Sequence, residues 1–410
     1  MNLIEKAVLF YQREGLHNTL TRTCQKVWEQ IRRTPGDIAE HICPSRYCKT
    51  IADHVRGKQV YILMSCIDWN IPLFQRPHQI ATVLSQRENT HVLFVSEKQR
   101  YDCFTGMFSV NSNLDVISQG LTTALGDALK QASHITVFKS WPRKAELLEQ
   151  IPYNTLVYEY IDDISLFYYY TDAMKQKHYD LIREADLTVC TARALYEDAL
   201  PIAQKVILSP NAGDYAFFRE NRNCLAAPGL LEKTRKYECV LGYYGCLADW
   251  FDYDLVLEVA RRKPEWCFVL VGYCFDGTVS RLQEANLENV LLYPAQPYAN
   301  LPSFVTAFDI QTIPFTINNI TNATSPVKLF EYMATGKPIL TSRLPECLQY
   351  RSVTTYYDVD DFVCQAQRLM QLRDDPAYCA VMEEEAKANT WDARVAEILR
   401  SIDGGNTHER

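Results

Sequence analysis

From Lys58 onward, short apolar runs rich in β-branched residues alternate with segments whose apolar residues recur every three or four positions, as Ile80, Val83 and Leu84 do. The runs Gln59–Met64, His91–Ser96, Leu114–Ser118, His134–Lys139, Leu156–Tyr160, Leu187–Thr191 and Lys205–Leu208 are apolar almost throughout. A strand covered on one face would alternate apolar with polar residues, so these runs predict parallel strands buried on both faces by crossover helices. The pattern stops at Pro210-Asn211-Ala212-Gly213-Asp214, and the polar stretch from Arg219 to Lys236, with Pro228-Gly229 inside it, reads as a linker. It then restarts with Cys239–Tyr244, Cys267–Gly272, Val290–Tyr293, Asp309–Ile313, Pro338–Thr341 and Val353–Tyr357, and helices are indicated at Asp252–Arg262 and Pro326–Thr335. Two such units in succession predict an α/β protein of two Rossmann-like domains facing each other across a cleft. A chain of 410 residues has the length for both.

Residues 1–55 belong to neither unit. Leu3, Ile4, Ala7, Val8, Tyr11, Leu16, Leu20, Val27 and Ile31 form an apolar stripe at helical spacing. Between Asn2 and Arg33 six Lys/Arg face three Glu, in a protein whose formal net charge is −8. The stripe fits a helical hairpin packed on the first domain, or a surface that docks on an anionic membrane through its basic flanks. The overall acidity speaks against a nucleic-acid partner. No uncharged apolar run approaches the roughly 18–20 residues of a membrane helix. The charged N-terminus without a small-residue cleavage site does not read as a secretory signal. The 14 cysteines contain no C-x-x-C pair, and several sit inside strand-like runs, as Cys190 and Cys267 do, so they read as buried thiols of a cytoplasmic protein. Docking predicts that the full chain floats with anionic liposomes and that a chain lacking residues 1–55 does not. Equal absence of flotation would leave the segment as packing.

The richest segment for chemistry runs from Thr321 to Leu340. Ser325-Pro326 reads as a hydroxyl N-cap followed by proline at the first helical position, and Gly336 as the residue that ends the helix. Lys328 falls in the first turn, where unsatisfied N–H groups and the helix dipole disfavour a cation unless an anion is also there. Glu331 lies one turn on along the same face. The pair suits a diphosphate beside two sugar hydroxyls, and it also suits an ordinary surface Lys–Glu pair.

The run Glu331-Tyr-Met-Ala-Thr-Gly-Lys-Pro-Ile-Leu340 resembles the second half of the E-x7-E motif of nucleotide-sugar glycosyltransferases of the GT-B fold, family 4 in particular. The resemblance extends from about Gln59 to Arg400. It includes Pro210-Asn211-Ala212-Gly213-Asp214, Tyr243-Tyr244-Gly245, Phe268-Val-Leu-Val-Gly272 and Phe308-Asp-Ile-Gln-Thr-Ile-Pro314. Phe74-Gln-Arg-Pro-His-Gln-Ile-Ala81 is similar to a signature of the subgroup related to teichuronic acid biosynthesis glycosyltransferases. The resemblance implies that Glu331 meets the nucleotide ribose and Lys328 the diphosphate, with Gly245 and Tyr293 also on the donor side. The first glutamate of the motif is replaced by Ala323, so contact with the donor hexose falls to Thr324, Ser325 or loop N–H groups. The family's basic residue near Gly245 is also missing, since Cys246-Leu-Ala-Asp-Trp-Phe-Asp252 holds no Lys or Arg. The domains then run 1–55 (helical extension), 56–212 (acceptor), 213–387 (donor) and 388–410, whose helix packs back toward the first domain.

On the first domain, Asp68-Trp69-Asn70 follows the first strand and Gln75-Arg76-Pro77-His78 opens the next helix, the position where open α/β sheets bind ligands. Trp69, Arg76 and His78 are therefore expected at the cleft, His78 in a catalytic role. Asp162 and Asp163 end an apolar strand there; Asp162 is the candidate base for an acceptor hydroxyl, and Asp163 either joins it or caps a helix Ile164–Tyr170. The aromatic group Phe167-Tyr168-Tyr169-Tyr170 reads as helix packing, while His91 and His134 read as structural. The expected activity is transfer of a sugar from a nucleotide donor to a hydroxyl of a cell-surface polysaccharide, glycolipid or lipid-linked precursor, at the inner face of the cytoplasmic membrane. The resemblance implies retention of configuration, no metal and no cofactor beyond the donor. An epimerase on the same fold and a non-catalytic nucleotide-sugar-binding partner are the rivals. A dinucleotide oxidoreductase is not supported, since neither first turn carries G-x-G-x-x-G.

Overall fold

A computed structural model describes residues 44–71, 74–98, 100–166 and 171–404. The first sheet comprises β1 (Gln59–Met64), β2 (Thr90–Ser96), β3 (Met107–Asn111), β4 (Leu114–Ser118), β5 (His134–Lys139), β6 (Thr155–Tyr160), β7 (Leu187–Cys190) and β8 (Val206–Leu208), in the order β3-β4-β2-β1-β5-β6-β7-β8. All its neighbours pair in parallel except β3, which runs antiparallel to β4. β3 escaped the sequence reading because it is a half-exposed edge strand without a continuous apolar run. The second sheet holds β9 (Cys239–Tyr244), β10 (Trp266–Gly272), β11 (Val290–Pro294), β12 (Ile310–Ile313), β13 (Ile339–Ser342) and β14 (Val353–Tyr356). It is wholly parallel, in the order β11-β10-β9-β12-β13-β14.

β1 shows why its run is apolar throughout. Val60, Ile62 and Met64 enter one core cluster with Ile51 and Val55 of the helix Pro44–Val55. Tyr61 and Leu63, pointing the other way, enter a second cluster with Trp391, Val395 and Ile398. Those last residues belong to the helix Trp391–Asp403, so the chain ends by packing on the domain with which it began. Of the N-terminal stripe, residues 1–43 lie outside the described residues.

The polar stretch read as a linker is part of the second domain. The helix Leu230–Thr234 lies inside it and the helix Tyr215–Glu220 runs into its start, and Phe218 and Leu230 are fully buried in that domain's core. Single apolar anchors in a polar segment leave no periodicity to read. The covalent crossovers are instead short and lie side by side. The Gly213 N–H donates to the Asn389 carbonyl at 3.1 Å, and Gly213 bridges Thr390 in parallel fashion. Arg394 Nε donates to the Pro210 carbonyl at 3.0 Å.

At the opposite end of the first sheet, Asp115 Oδ2 accepts from His54 Nδ1 at 2.7 Å and His91 Nε2 at 2.8 Å, while Oδ1 accepts from Ser109 at 2.6 Å. Burial works to raise the Asp115 pKa, but the bonds from His91, Ser109 and His54 outweigh it and hold it below the ordinary carboxylate range. This joint fixes the helix Pro44–Val55 to β2 and β4, far along the strands from the cleft.

Trp391 is 2% exposed and the largest side chain that the returning helix contributes to the first core. Trp391→Ala should cost about 3–5 kcal/mol in urea denaturation, the range for emptying a buried aromatic site. A cost below about 1 kcal/mol would mean that the helix is not integral to the first domain.

Candidate functional site

The carboxyl ends of the strands in the two sheets carry the loops that meet between the domains, as in other open parallel sheets. On the second domain, β9 ends in Gly245 at φ +143°, a conformation that a side chain would strain. A Cβ there would lie 2.8 Å from Lys328 Cε and 2.9 Å from the Tyr243 hydroxyl. One strand over, a Cβ on Gly272 would fall 1.7 Å from the Gly245 carbonyl oxygen, so the two turns approach as only glycines allow. The Gly245 N–H donates to the Val271 carbonyl at 2.9 Å, which fixes the turn.

The helix Val327–Thr335 points its N-terminus at this cradle, and Gly336 closes it in the left-handed region at φ 76°. Its N-cap position is Pro326, without a side-chain cap, so Ser325 does not play the capping part expected of it. The Ser325 hydroxyl instead accepts from the Asn211 N–H at 3.1 Å, and its carbonyl accepts from Asn211 Nδ2 at 2.7 Å. The crossover turn thus claims Ser325. Thr324 donates to the Ile320 carbonyl at 2.7 Å, which closes the loop ahead of the helix.

Lys328 rests its ammonium over the rings of Phe315 and Tyr243, 5.0 and 5.3 Å from their centroids. Burial pulls its pKa down, with Glu331 the main opposing charge. Glu331 is 3% exposed; its Oε2 accepts from Tyr244 at 2.5 Å and its Oε1 from Tyr298 at 2.9 Å. Burial raises the Glu331 pKa against the pull of those hydroxyls and Lys328. Both groups are thus drawn toward their neutral forms, and an anion beside Lys328 would restore its charge.

Tyr298 was not among the expected residues, and it joins the domains. Its ring stacks on Phe217 at 5.3 Å and tilts against Phe74 at 5.9 Å, while Gln79 of the first domain hydrogen-bonds its hydroxyl. Only a proline-led turn, Pro297-Tyr298, marks it in the sequence. Tyr293, the tyrosine that was expected, packs on Phe304 at 5.2 Å with Lys233 above its ring.

The first-domain residues are more deeply engaged than the sequence suggested. His78 is fully buried; its Nδ1 accepts from the Gln75 N–H at 3.2 Å, and its Nε2 donates toward the Trp69 and Asp68 carbonyls at 3.0 and 3.3 Å. Burial lowers its pKa. With both ring nitrogens committed, His78 is a structural pin and not the catalytic group expected. Trp69 packs edge-on to Phe94 at 5.0 Å, and its N–H donates to Asp102 at 2.5 Å. Arg76 is 2% exposed; it donates to Glu159 at 2.8 Å and to the Ser209 and Pro210 carbonyls at 3.2 Å each. It ties the crossover to the first sheet and is not open to the cleft.

Asp163 Oδ1 accepts from the Ser165 N–H at 3.0 Å and its hydroxyl at 2.6 Å, holding the short 3-10 turn Ile164–Leu166. The longer helix to Tyr170 cannot be followed, because Phe167 to Tyr170 lie outside the described residues. Asp162, half-buried just beyond β6, has its pKa pushed up to about 6, first by burial and then by Asp163. Ala323, in place of the motif glutamate, is 5% exposed and packs into the first domain's apolar cluster. A carboxylate at that position would be buried against hydrocarbon.

Structural comparison decides the architecture. Sucrose-phosphate synthase from Thermosynechococcus elongatus superposes with a TM-score of 0.61 at 12% identity, over 86% of this chain and 100% of that one. The fold is GT-B. Trehalose 6-phosphate synthase from Burkholderia multivorans shares this GT-B architecture (TM-score 0.61, 8% identity, 85% and 99% covered). So does Anabaena HepE in complex with UDP and glucose (TM-score 0.59, 12% identity, 85% and 100% covered). By sequence, the chain is 26% identical over 238 residues to a Bacillus subtilis (strain 168) protein provisionally assigned as the teichuronic acid biosynthesis glycosyltransferase TuaH. The match spans 55% of this chain and 59% of that protein. No protein-family model matches the chain. No helix among the described residues is long and apolar enough to cross a membrane.

Asp162 supplies a pH test. Its folded pKa is raised, so folding favours the protonated form over the ionised one. Its contribution to stability is full below about pH 4 and is lost as pH rises through about 6. Relative to Asp162→Asn, the wild-type melting temperature should therefore fall between about pH 4 and pH 7. A constant difference over that range would place Asp162 in water.

Proposed function

We propose that this protein is a nucleotide-sugar-dependent glycosyltransferase that extends a cell-surface polysaccharide, a glycolipid or a lipid-linked precursor, at the cytoplasmic face of the membrane. The observation that carries this reading is the glycine cradle of Gly245 and Gly272 beneath Lys328, at the helix N-terminus on the donor-side domain of a GT-B fold. A diphosphate there would meet the Lys328 ammonium and uncapped helix N–H groups, and the charge that develops on departure would meet the same donors. These residues can answer that charge by themselves, and the proposal requires no metal or further cofactor. Glu331 would accept from the ribose hydroxyls with lone pairs that the two tyrosines leave open, since a carboxylate offers about four acceptor sites. The similarity to the protein assigned to teichuronic acid biosynthesis, and the UDP and glucose in the HepE complex, support the same class of reaction.

Asp162 is the residue assigned to orient or deprotonate the acceptor hydroxyl. A carboxylate whose pKa lies near 6 is ionised at neutral pH yet more basic than an exposed one. Retention of configuration follows the family resemblance, and NMR of the product anomer tests it.

Thermal shift against UDP, GDP and dTDP sugars should single out one donor, because a ligand that binds only the folded state raises the melting temperature. Lys328→Ala should then weaken the matching nucleoside diphosphate by about 10- to 150-fold, the equivalent of a charge-assisted hydrogen bond worth about 1.5–3 kcal/mol. It should leave the nucleoside nearly unaffected. Glu331→Gln should weaken nucleoside and diphosphate alike. No shift with any nucleotide would sink the reading.

A further inference from the structure

Between the domains lies a cavity of about 420 Å³ that no role assigned above accounts for. Its wall is mostly first-domain, from β6 and the helices Asp172–Glu184 and Arg193–Ala199, and it is completed by Asn319, Asn322 and Ala323 of the second. On that side the wall is the short helix Asn319–Asn322 and Ala323, in the segment that leads to the helix carrying Lys328.

His178 lines the cavity and is 1% exposed. Its Nδ1 is 2.6 Å from the Tyr158 hydroxyl, but among the described residues its buried Nε2 has no hydrogen-bond partner. Buried polar atoms are rarely left so, which marks Nε2 as a contact kept for a ligand. Two tyrosines frame it. The Tyr160 ring lies 4.4 Å from the imidazole and the Tyr179 ring 5.1 Å, both edge-on, and their hydroxyls donate to the two oxygens of Asp198 at 3.2 and 3.3 Å. Aromatic faces with a few convergent polar atoms suit a ring that is apolar on its faces and hydroxylated at its edge.

Charge narrows the class. Asp163 and Asp198 bring two carboxylates to the cavity and Lys175 one ammonium, leaving an excess of one negative charge. Burial pushes the His178 pKa down to about 4, so the imidazole adds no positive charge at neutral pH. We propose that this cavity seats the acceptor's terminal sugar, and that the sugar is neutral or amino-bearing and not a uronate or a phosphosugar. The proposal rests on the glycosyltransferase reading for the word acceptor; the chemistry of the cavity stands apart from it.

Saturation-transfer NMR on the full chain with saturating UDP tests this, using methyl β-D-glucopyranoside, methyl β-D-glucosaminide and methyl β-D-glucuronide at low ionic strength. The first two should bind, and the glucuronide about two- to fivefold more weakly, as one exposed uncompensated charge contact predicts. Asp198 is exposed, so Asp198→Asn should fold normally; it should close that gap while UDP affinity stays unchanged. Equal or tighter binding of the glucuronide by the wild type overturns the proposal, as does a gap that survives Asp198→Asn. Binding of UDP with no glycoside bound overturns it too. Displacement of the glucoside by UDP-glucose but not by UDP would give the cavity to the transferred sugar and overturn the acceptor assignment. If the glycosides bind as expected and no nucleotide does, the cavity stands and the glycosyltransferase reading falls.

Discussion

The buried pair of Arg76 and Glu159 fixes how the two halves of this protein meet. Neither side chain is more than 2% exposed, and a buried ion pair is stable only when its remaining hydrogen bonds are met. Glu159 accepts from Ser140 at 2.9 Å as well, and Arg76 spends one terminal nitrogen on the carbonyls of Ser209 and Pro210. Its other terminal nitrogen finds no hydrogen-bond acceptor among the described residues, and the guanidinium lies 5.9 Å from the Trp391 ring centroid. One guanidinium thereby binds the first sheet, the outgoing crossover and the returning helix. Removing either charge would strand the other in the core.

Further contacts extend this arrangement across the cleft. Glu346 of the second domain accepts from the Arg193 N–H at 2.7 Å, at the start of a first-domain helix whose N-cap, Ala192, offers no side-chain acceptor. Tyr298 reaches between Glu331 and Gln79. Ala323 completes an apolar cluster that is otherwise first-domain. The loop in which the family resemblance expects a glutamate thus serves here as a domain contact. Its change to alanine and its burial have one physical cause, since a carboxylate pressed on hydrocarbon is costly.

The cradle around Lys328 depends on close approach. Two glycines at adjacent strand ends let a carbonyl pass where any Cβ would collide, and this space receives the Lys328 side chain. Lysine and glutamate are then held in a desolvated setting that weakens the charge of each. Under the proposed function an incoming diphosphate would offset this, because the ligand's charge would replace the hydration that folding removed.

The sequence by itself determined the two parallel sheets, because strands buried on both faces must be apolar throughout, and runs such as Gln59–Met64 and Cys239–Tyr244 coincide with β1 and β9. It also put Lys328 and Glu331 on one helix face a turn apart, a local signal of spacing, whereas Gly245 joined them only through the family resemblance. It did not reveal β3, whose edge position removes the apolar run, or the short helices Tyr215–Glu220 and Leu230–Thr234, each anchored by few buried residues. Tertiary structure alone decided that His78 and Arg76 are consumed by carbonyls and a carboxylate, that Ser325 serves Asn211, and that Tyr298 and not Tyr293 reaches Glu331. The same holds for the cavity around His178, whose walls come from segments more than 100 residues apart. Periodicity and capping are written in neighbouring residues, whereas the partner of a side chain is chosen by which distant loops the fold brings to the same strand ends.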